Sequence, residues 1–170
     1  MNFLEQLAAE WYRYQGYLVN TNVKFGKLPK GGYVGEMDVV AFDPQSRQLV
    51  HVETSSDAGS WEVRRRRFAK KFGDAVKHYD ELFSYRDGEV KRIAFLSFGQ
   101  REKKGAFGPG IEVKSIPEFI SEVVEGLRQR HPNPMKEVVP ETFPILRGIQ
   151  FAVHWGSLKR GVGRVGRRRD

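Results

Sequence analysis

Two β-rich runs, VGEMDVVAF at 34–42 and QLVHVET at 48–54, carry acids, a histidine and a hydroxyl at alternate positions. Side chains alternate across a strand, so Glu36, Asp38, Val40 and Phe42 share one face, while Met37, Val39 and Ala41 share the other. On the second run Leu49, His51, Glu53 and Ser55 lie together, opposite Val50, Val52 and Thr54. The connecting DPQSR has turn composition, which predicts a hairpin. If Asp43 pairs with Gln48, then Asp38 falls opposite Glu53, Glu36 opposite Ser55, and Val40 opposite His51. Opposed Cβ atoms lie about 4.5–5.5 Å apart, and like charges held that close destabilise a sheet. A divalent cation between the carboxylates removes the repulsion, and hard oxygen ligands suit Mg²⁺ or Mn²⁺. A strand pair that merely faced water would scatter Lys, Thr and Arg on its polar face; this face has no basic residue except His51.

The surrounding elements follow from periodicity. Leu4, Leu7, Ala8, Trp11 and Tyr14 recur at helical spacing over 3–15, and Gly16 closes that helix. A strand is expected at 17–25, ended by GKLPKGG. A long helix is expected at 61–84, with Trp61, Arg65, Phe68, Phe72, Ala75, Tyr79 and Phe83 on one face. Strands at 91–98 and 111–114, a helix at 117–130, and a short helix or strand within 141–156 complete the series. The order α-β-β-β-α-β-β-α predicts an α/β fold, a mixed central sheet flanked by helices on both faces. HPNP at 131–134 marks a boundary. The expected organisation is a domain at 1–130, an extension at 131–156 packing on it, and a flexible basic tail at 157–170.

Composition narrows the chemistry further. The 170 residues include no cysteine, which excludes disulfides, Cys-ligated zinc and thiol catalysis and fits a reducing, cytoplasmic setting. The four histidines, at 51, 78, 131 and 154, form no zinc-type spacing. No apolar run approaches the ~18 residues of a membrane span, and MNFLEQLAAEW does not read as a secretion signal. The net charge of +8 is concentrated in two blocks. Residues 131–170 carry eight basic and three acidic side chains, and residues 61–78 seven and two. Two basic blocks on one small chain point to a polyanionic partner, most simply nucleic acid. GAFGPG at 105–110 lacks the Lys-Ser/Thr of a phosphate-binding loop and reads as a plain connection. Trp11, Trp61 and the phenylalanines read as core.

Gly35-Glu36-Met37-Asp38, then fourteen residues, then Glu53-Thr54-Ser55, set in an α-β-β-β-α-β order, resembles the PD-(D/E)xK nuclease superfamily. That is the restriction-endonuclease-like fold shared with Holliday-junction resolvases and Mrr-type restriction enzymes. The resemblance covers about residues 1–130. It implies a divalent-metal-dependent endonuclease cutting DNA, duplex or branched, with Mg²⁺ or Mn²⁺ held by Asp38, Glu53, the backbone carbonyl of Thr54, and Glu5 from the first helix. It leaves room for a homodimer. The family lysine falls at Ser55, and a hydroxyl cannot supply its positive charge. Some members draw that cation from the following helix. With Phe68 as zero and about 100° per residue, Arg64 and Lys71 fall near −40° and −60°, beside the apolar stripe, whereas Lys70 and Lys77 point to the far side. Lys71 is therefore the expected catalytic cation. Arg64, Arg65 and Arg67, with Lys159, Arg160, Arg164, Arg167, Arg168 and Arg169 of the tail, are the expected phosphate contacts. The alternative is a catalytically degenerate nucleic-acid-binding module of the same fold; a third reading is a protein-interaction domain whose tail binds an acidic partner.

The tail residues are spaced by glycines that disfavour helix, so their contribution to DNA affinity should be electrostatic. Deleting 157–170 should weaken DNA binding and flatten its dependence on salt, measured by fluorescence anisotropy across a salt titration. Unchanged binding throughout would reduce the tail to a solubility feature.

Overall fold

The computed structural model describes residues 2–55, 59–96, 107–133 and 135–156. The basic tail and the first residues of GAFGPG lie outside them. The described chain forms two compact units, which divide between Ile120 and Ser121.

The first unit is built on a five-stranded mixed sheet. Helix α1 (Phe3–Tyr14) is followed by β1 (Leu18–Lys27), β2 (Tyr33–Phe42) and β3 (Leu49–Ser55). Helices α2 (Trp61–Val76) and α3 (Tyr79–Leu82) then lead to β4 (Lys91–Leu96), β5 (Ile111–Ser115) and α4 (Ile116–Arg128). Strand order is β1-β2-β3-β4-β5. The first three strands are antiparallel, whereas β4 and β5 run parallel to β3. The expected hairpin register is found: Asp43 N–H bonds Gln48 O at 2.9 Å, and Val40 pairs with His51.

Strand β3 is central, and all seven of its residues are buried. Its two faces meet different helices. His51 and Glu53 reach Tyr79 and Lys71, which sets α2 and α3 on that side. Thr54 faces the opposite way, where the Asn2 amide at the start of α1 lies 3.5 Å from its hydroxyl. Helix α1 buries Leu4, Leu7, Ala8 and Trp11, and its entry is fixed by a capping box between Asn2 and Glu5. On the α2–α3 side one apolar cluster joins Phe25, Met37, Val40, Leu49, Ala75, Tyr79 and Phe83, so Met37, expected on the face opposite Val40, packs with it instead. A second joins Phe68, Phe72, Ala94, Leu96, Phe107 and Ile111.

Two further expectations need correction. The single helix over 61–84 is two helices, because the chain tightens at Lys77–His78, where His78 N–H bonds Ala75 O three residues back. Within α2, Arg65 is exposed and Arg64 is buried instead. Arg64 lies one turn before Phe68 and continues the buried row of Phe68, Phe72 and Ala75.

The second unit holds the rest of α4 and α5 (Pro144–Trp155). Buried Gln150 organises it: its amide nitrogen donates to Arg130 O and Glu137 O, and its oxygen accepts from Val139 N–H and Arg147 Nη1. The HPNP segment begins inside this unit, since the division falls within α4 rather than after it.

One glycine matters for strand β2 just before the acids. Gly35 pairs with Phe25, and a Cβ at Gly35 would meet the Phe25 ring at 2.5 Å. The ring is buried and in contact with His78, so it has little room to retreat. Gly35→Ala should destabilise the fold by about 1–3 kcal/mol through overpacking, read from urea denaturation. A variant as stable as wild type would mean that Phe25 repacks freely.

Candidate functional site

Strands β2 and β3 pair from Phe42–Leu49 to Val39–Val52 and no further. Beyond that point the next donor on β3, Thr54 N–H, is taken by the side chain of Asp38, whose Oδ2 lies 2.8 Å away. The Asp38 carboxylate thus fills the place that the carbonyl of residue 37 would occupy in a continued ladder. Its other oxygen, Oδ1, lies 2.9 Å from Lys71 Nζ. The same ammonium donates to Glu53 Oε2. A carboxylate from the middle of β2, where its pairing with β3 ends, a central-strand carboxylate and a helix lysine therefore converge on one point.

Electrostatics explains why the three stay together. Burial pushes the Asp38 carboxyl up, the Glu53 charge pushes it further, and the Thr54 N–H bond and Lys71 only partly offset this. Burial likewise raises Glu53, against the pull of Lys71 and Asp38. For Lys71 burial alone would lower the pKa, but the two carboxylates outweigh it and hold the ammonium above its ordinary range. The cation that the sequence pattern demands between Asp38 and Glu53 is supplied here by the protein itself. Lys71 nevertheless keeps 35% of its side chain exposed, while Glu53 has none.

Behind Glu53 lie two residues to which the sequence alone assigned no role. His51 Nε2 lies 2.8 Å from Glu53 Oε1, and His51 Nδ1 lies 2.6 Å from the Tyr79 hydroxyl. Burial depresses the His51 pKa to about 3, so the ring is neutral. Burial raises the Tyr79 hydroxyl pKa, so it stays protonated. The available signal for His51 was its position two residues before Glu53 on the same strand face. Tyr79 gave none beyond its place in an apolar stripe.

The other expected residues are placed as follows. Glu5 accepts from Asn2 N–H at 3.0 Å and from Asn2 Nδ2 at 2.6 Å, and the same Asn2 amide reaches Thr54. Glu5 is thus joined to the site through Asn2. Arg65 and Arg67 are exposed on α2, and Arg64 is buried. Lys70 points outward and bonds Asp74 at 2.8 Å. Ser55 is buried. Among the described residues no group of three His, Asp or Glu side chains is gathered as a metal cage.

The fold class is a mixed α/β domain, a five-stranded mixed sheet flanked by helices, with a lysine-bridged acid pair where the pairing of β2 with β3 ends. A solved structure similar to this one is that of AF1548, described as a protein of unknown function. The TM-score is 0.50 at 16% identity, over 89% of this chain and 96% of that one. That likeness concerns the fold alone. No protein-family model and no curated protein matches the chain. No described helix is long and apolar enough to cross a membrane.

The pKa directions set a pH dependence. Carboxylates whose folded pKa values are raised favour the fold below their ordinary pKa of about 4 and lose that contribution as pH rises through the folded values. Lys71, raised in its turn, contributes up to its ordinary value of 10.5 and loses this only above it. Lys71→Met should therefore destabilise the protein at pH 8, by about 1–3 kcal/mol after allowance for the partial exposure of the lysine. The loss should shrink at pH 5, where the abandoned acids take up protons. Urea denaturation at the two pH values measures it; an equal loss at both would make the contribution of Lys71 one of packing.

Proposed function

We propose that this chain is a divalent-metal-dependent nuclease of the restriction-endonuclease-like class that hydrolyses DNA phosphodiester bonds. The observation that carries the reading is the meeting of Lys71 Nζ with Asp38 and Glu53. Two acids from neighbouring strands and one amine are the residue types of the PD-(D/E)xK site, with the amine drawn from α2 in place of Ser55.

The residues fit a small hard cation. Asp38 Oδ1 and Glu53 Oε2 would hold it once the Lys71 ammonium, which bonds both of these oxygens, swings aside toward the substrate phosphate; water and substrate oxygens would complete the shell, as is usual for Mg²⁺. When bound, Mg²⁺ or Mn²⁺ supplies Lewis acidity at the phosphate and lowers the pKa of a coordinated water. Lys71, protonated across neutral pH, offers its charge to the phosphate as negative charge develops there. The Thr54 N–H fixes the orientation of Asp38. Glu5, engaged in the α1 cap, supports the site through Asn2. Exposed Arg65 and Arg67 on α2 would contact the DNA backbone without reading sequence.

A second reading has its own support. The ammonium already balances both carboxylates, so the site is stable without metal, as a nucleic-acid-binding module with lapsed chemistry would allow. Cleavage of linear, supercoiled and branched DNA with Mg²⁺ or Mn²⁺ separates the two. The nuclease should cut; Asp38→Ala should abolish cutting, Lys71→Ala should slow it by about 10²–10³-fold, and Lys70→Ala should behave as wild type. Salt-sensitive DNA binding with no cleavage by either metal would establish the binder instead, and Ser55→Lys would then show whether one cation restores activity.

A further inference from the structure

The two oxygens of Glu53 face different groups. Oε2 meets Lys71, whereas Oε1 is turned back toward His51 Nε2. Both side chains of the His51–Glu53 pair are fully buried. The ring is fixed from the side by Phe72, at a centroid distance of 4.9 Å, and from behind by the Tyr79 hydroxyl. An ammonium can only donate, so Oε2 accepts from Lys71, and a buried carboxylate needs a donor at its second oxygen as well. His51 Nε2–H is that donor. Nδ1 is then an acceptor, and the Tyr79 O–H fills it. His51 and Glu53 come from β3 and Tyr79 from α3, while Phe72 of α2 packs against the ring.

Resting on the metal site proposed above, we propose that His51 and Tyr79 are positioning residues that restrict Glu53 to one outward oxygen, so that the acid pair selects a small octahedral cation, Mg²⁺ or Mn²⁺, over Ca²⁺. The physical reason is coordination number. Ca²⁺ takes six to eight oxygens at longer distances and readily uses both oxygens of a carboxylate. A Glu53 held at Oε1 can give only one. Losing the hydrogen-bond partner of a ligand typically weakens metal binding by about 10–100-fold.

The test compares wild type with His51→Leu, His51→Gln and Tyr79→Phe, each confirmed as folded by circular dichroism. Mn²⁺ and Ca²⁺ titrations by calorimetry are the first readout. His51→Leu should weaken Mn²⁺ binding by about 10–100-fold and narrow the preference over Ca²⁺. His51→Gln, whose amide can donate in the same direction, should recover most of both; Tyr79→Phe should show a smaller loss of the same sign. The second readout needs no metal: ¹⁵N NMR of the wild type should show a neutral His51 protonated at Nε2, with the Nδ1–H form gaining population in Tyr79→Phe. A wild-type ring protonated at Nδ1, or a folded His51→Leu with unchanged Mn²⁺ affinity and Mn²⁺/Ca²⁺ ratio, would overturn the proposal. Wild type that binds neither ion would overturn the metal-site reading and the selectivity with it, while an Nε2–H tautomer would still establish the hold on Glu53.

Discussion

The ammonium of Lys71 between two buried carboxylates is the interaction on which the architecture of the first unit turns. Burying an isolated ionised carboxylate is among the most unfavourable steps a fold can take, and Asp38 and Glu53 are both buried, on neighbouring interior strands of one sheet. Without a cation they would repel across the β2–β3 junction. With it, the repulsion becomes a tether that joins β2, β3 and α2 at one point. The buried row of α2 is Arg64, Phe68, Phe72 and Ala75, with Lys71 at the border of that row and Arg65 left in solvent.

The same point is where regular pairing ends. Strand β2 leaves β3 after Val39, and the Asp38 side chain caps the exposed Thr54 N–H in place of a backbone carbonyl. A sheet whose pairing stops there gives up ladder hydrogen bonds and places two acids at the break. That exchange makes little sense for stability alone, because burial drives both carboxyl groups toward the protonated state. It fits a site whose negative charge is kept for a ligand, as in the proposed nuclease. Perturbed acids beside one partly exposed cation are the kind of cluster that function, more than folding, requires.

Behind the acid pair, the His51–Tyr79 pair shows how a buried carboxylate can be held without a second positive charge. A neutral imidazole has one donor and one acceptor, and here each nitrogen has one partner. The apolar cluster around Tyr79 and Phe83 seals this chain from water. Packing and polar order are thus the same structure seen from two sides, since the residues that bury the ring also set its direction.

Much of this was legible in the sequence because it depends on local periodicity. Alternation across DPQSR placed Asp38 and Glu53 together, the turn set the register of β2 against β3, and helical phase separated Lys71 from Lys70. What the sequence could not decide involves partners without a fixed spacing. The parallel pairing of β4 with β3 depends on how a helical crossover packs, and no repeat encodes it. The break at Lys77–His78 has no proline or glycine to announce it, and Arg64 and Arg65 flank the apolar row closely enough that helical phase alone does not choose between them. His51 and Tyr79 are 28 residues apart and meet only because β3 and α3 are folded against each other. By itself the sequence determined the hairpin, the shared face of His51 and Glu53, and the residue types of the site, because those follow from the turn and from a period of 2 residues. Only the tertiary structure decided that the charge between the acids is an ammonium and that Glu53 has one oxygen turned outward, because both depend on where two helices come to rest on the sheet.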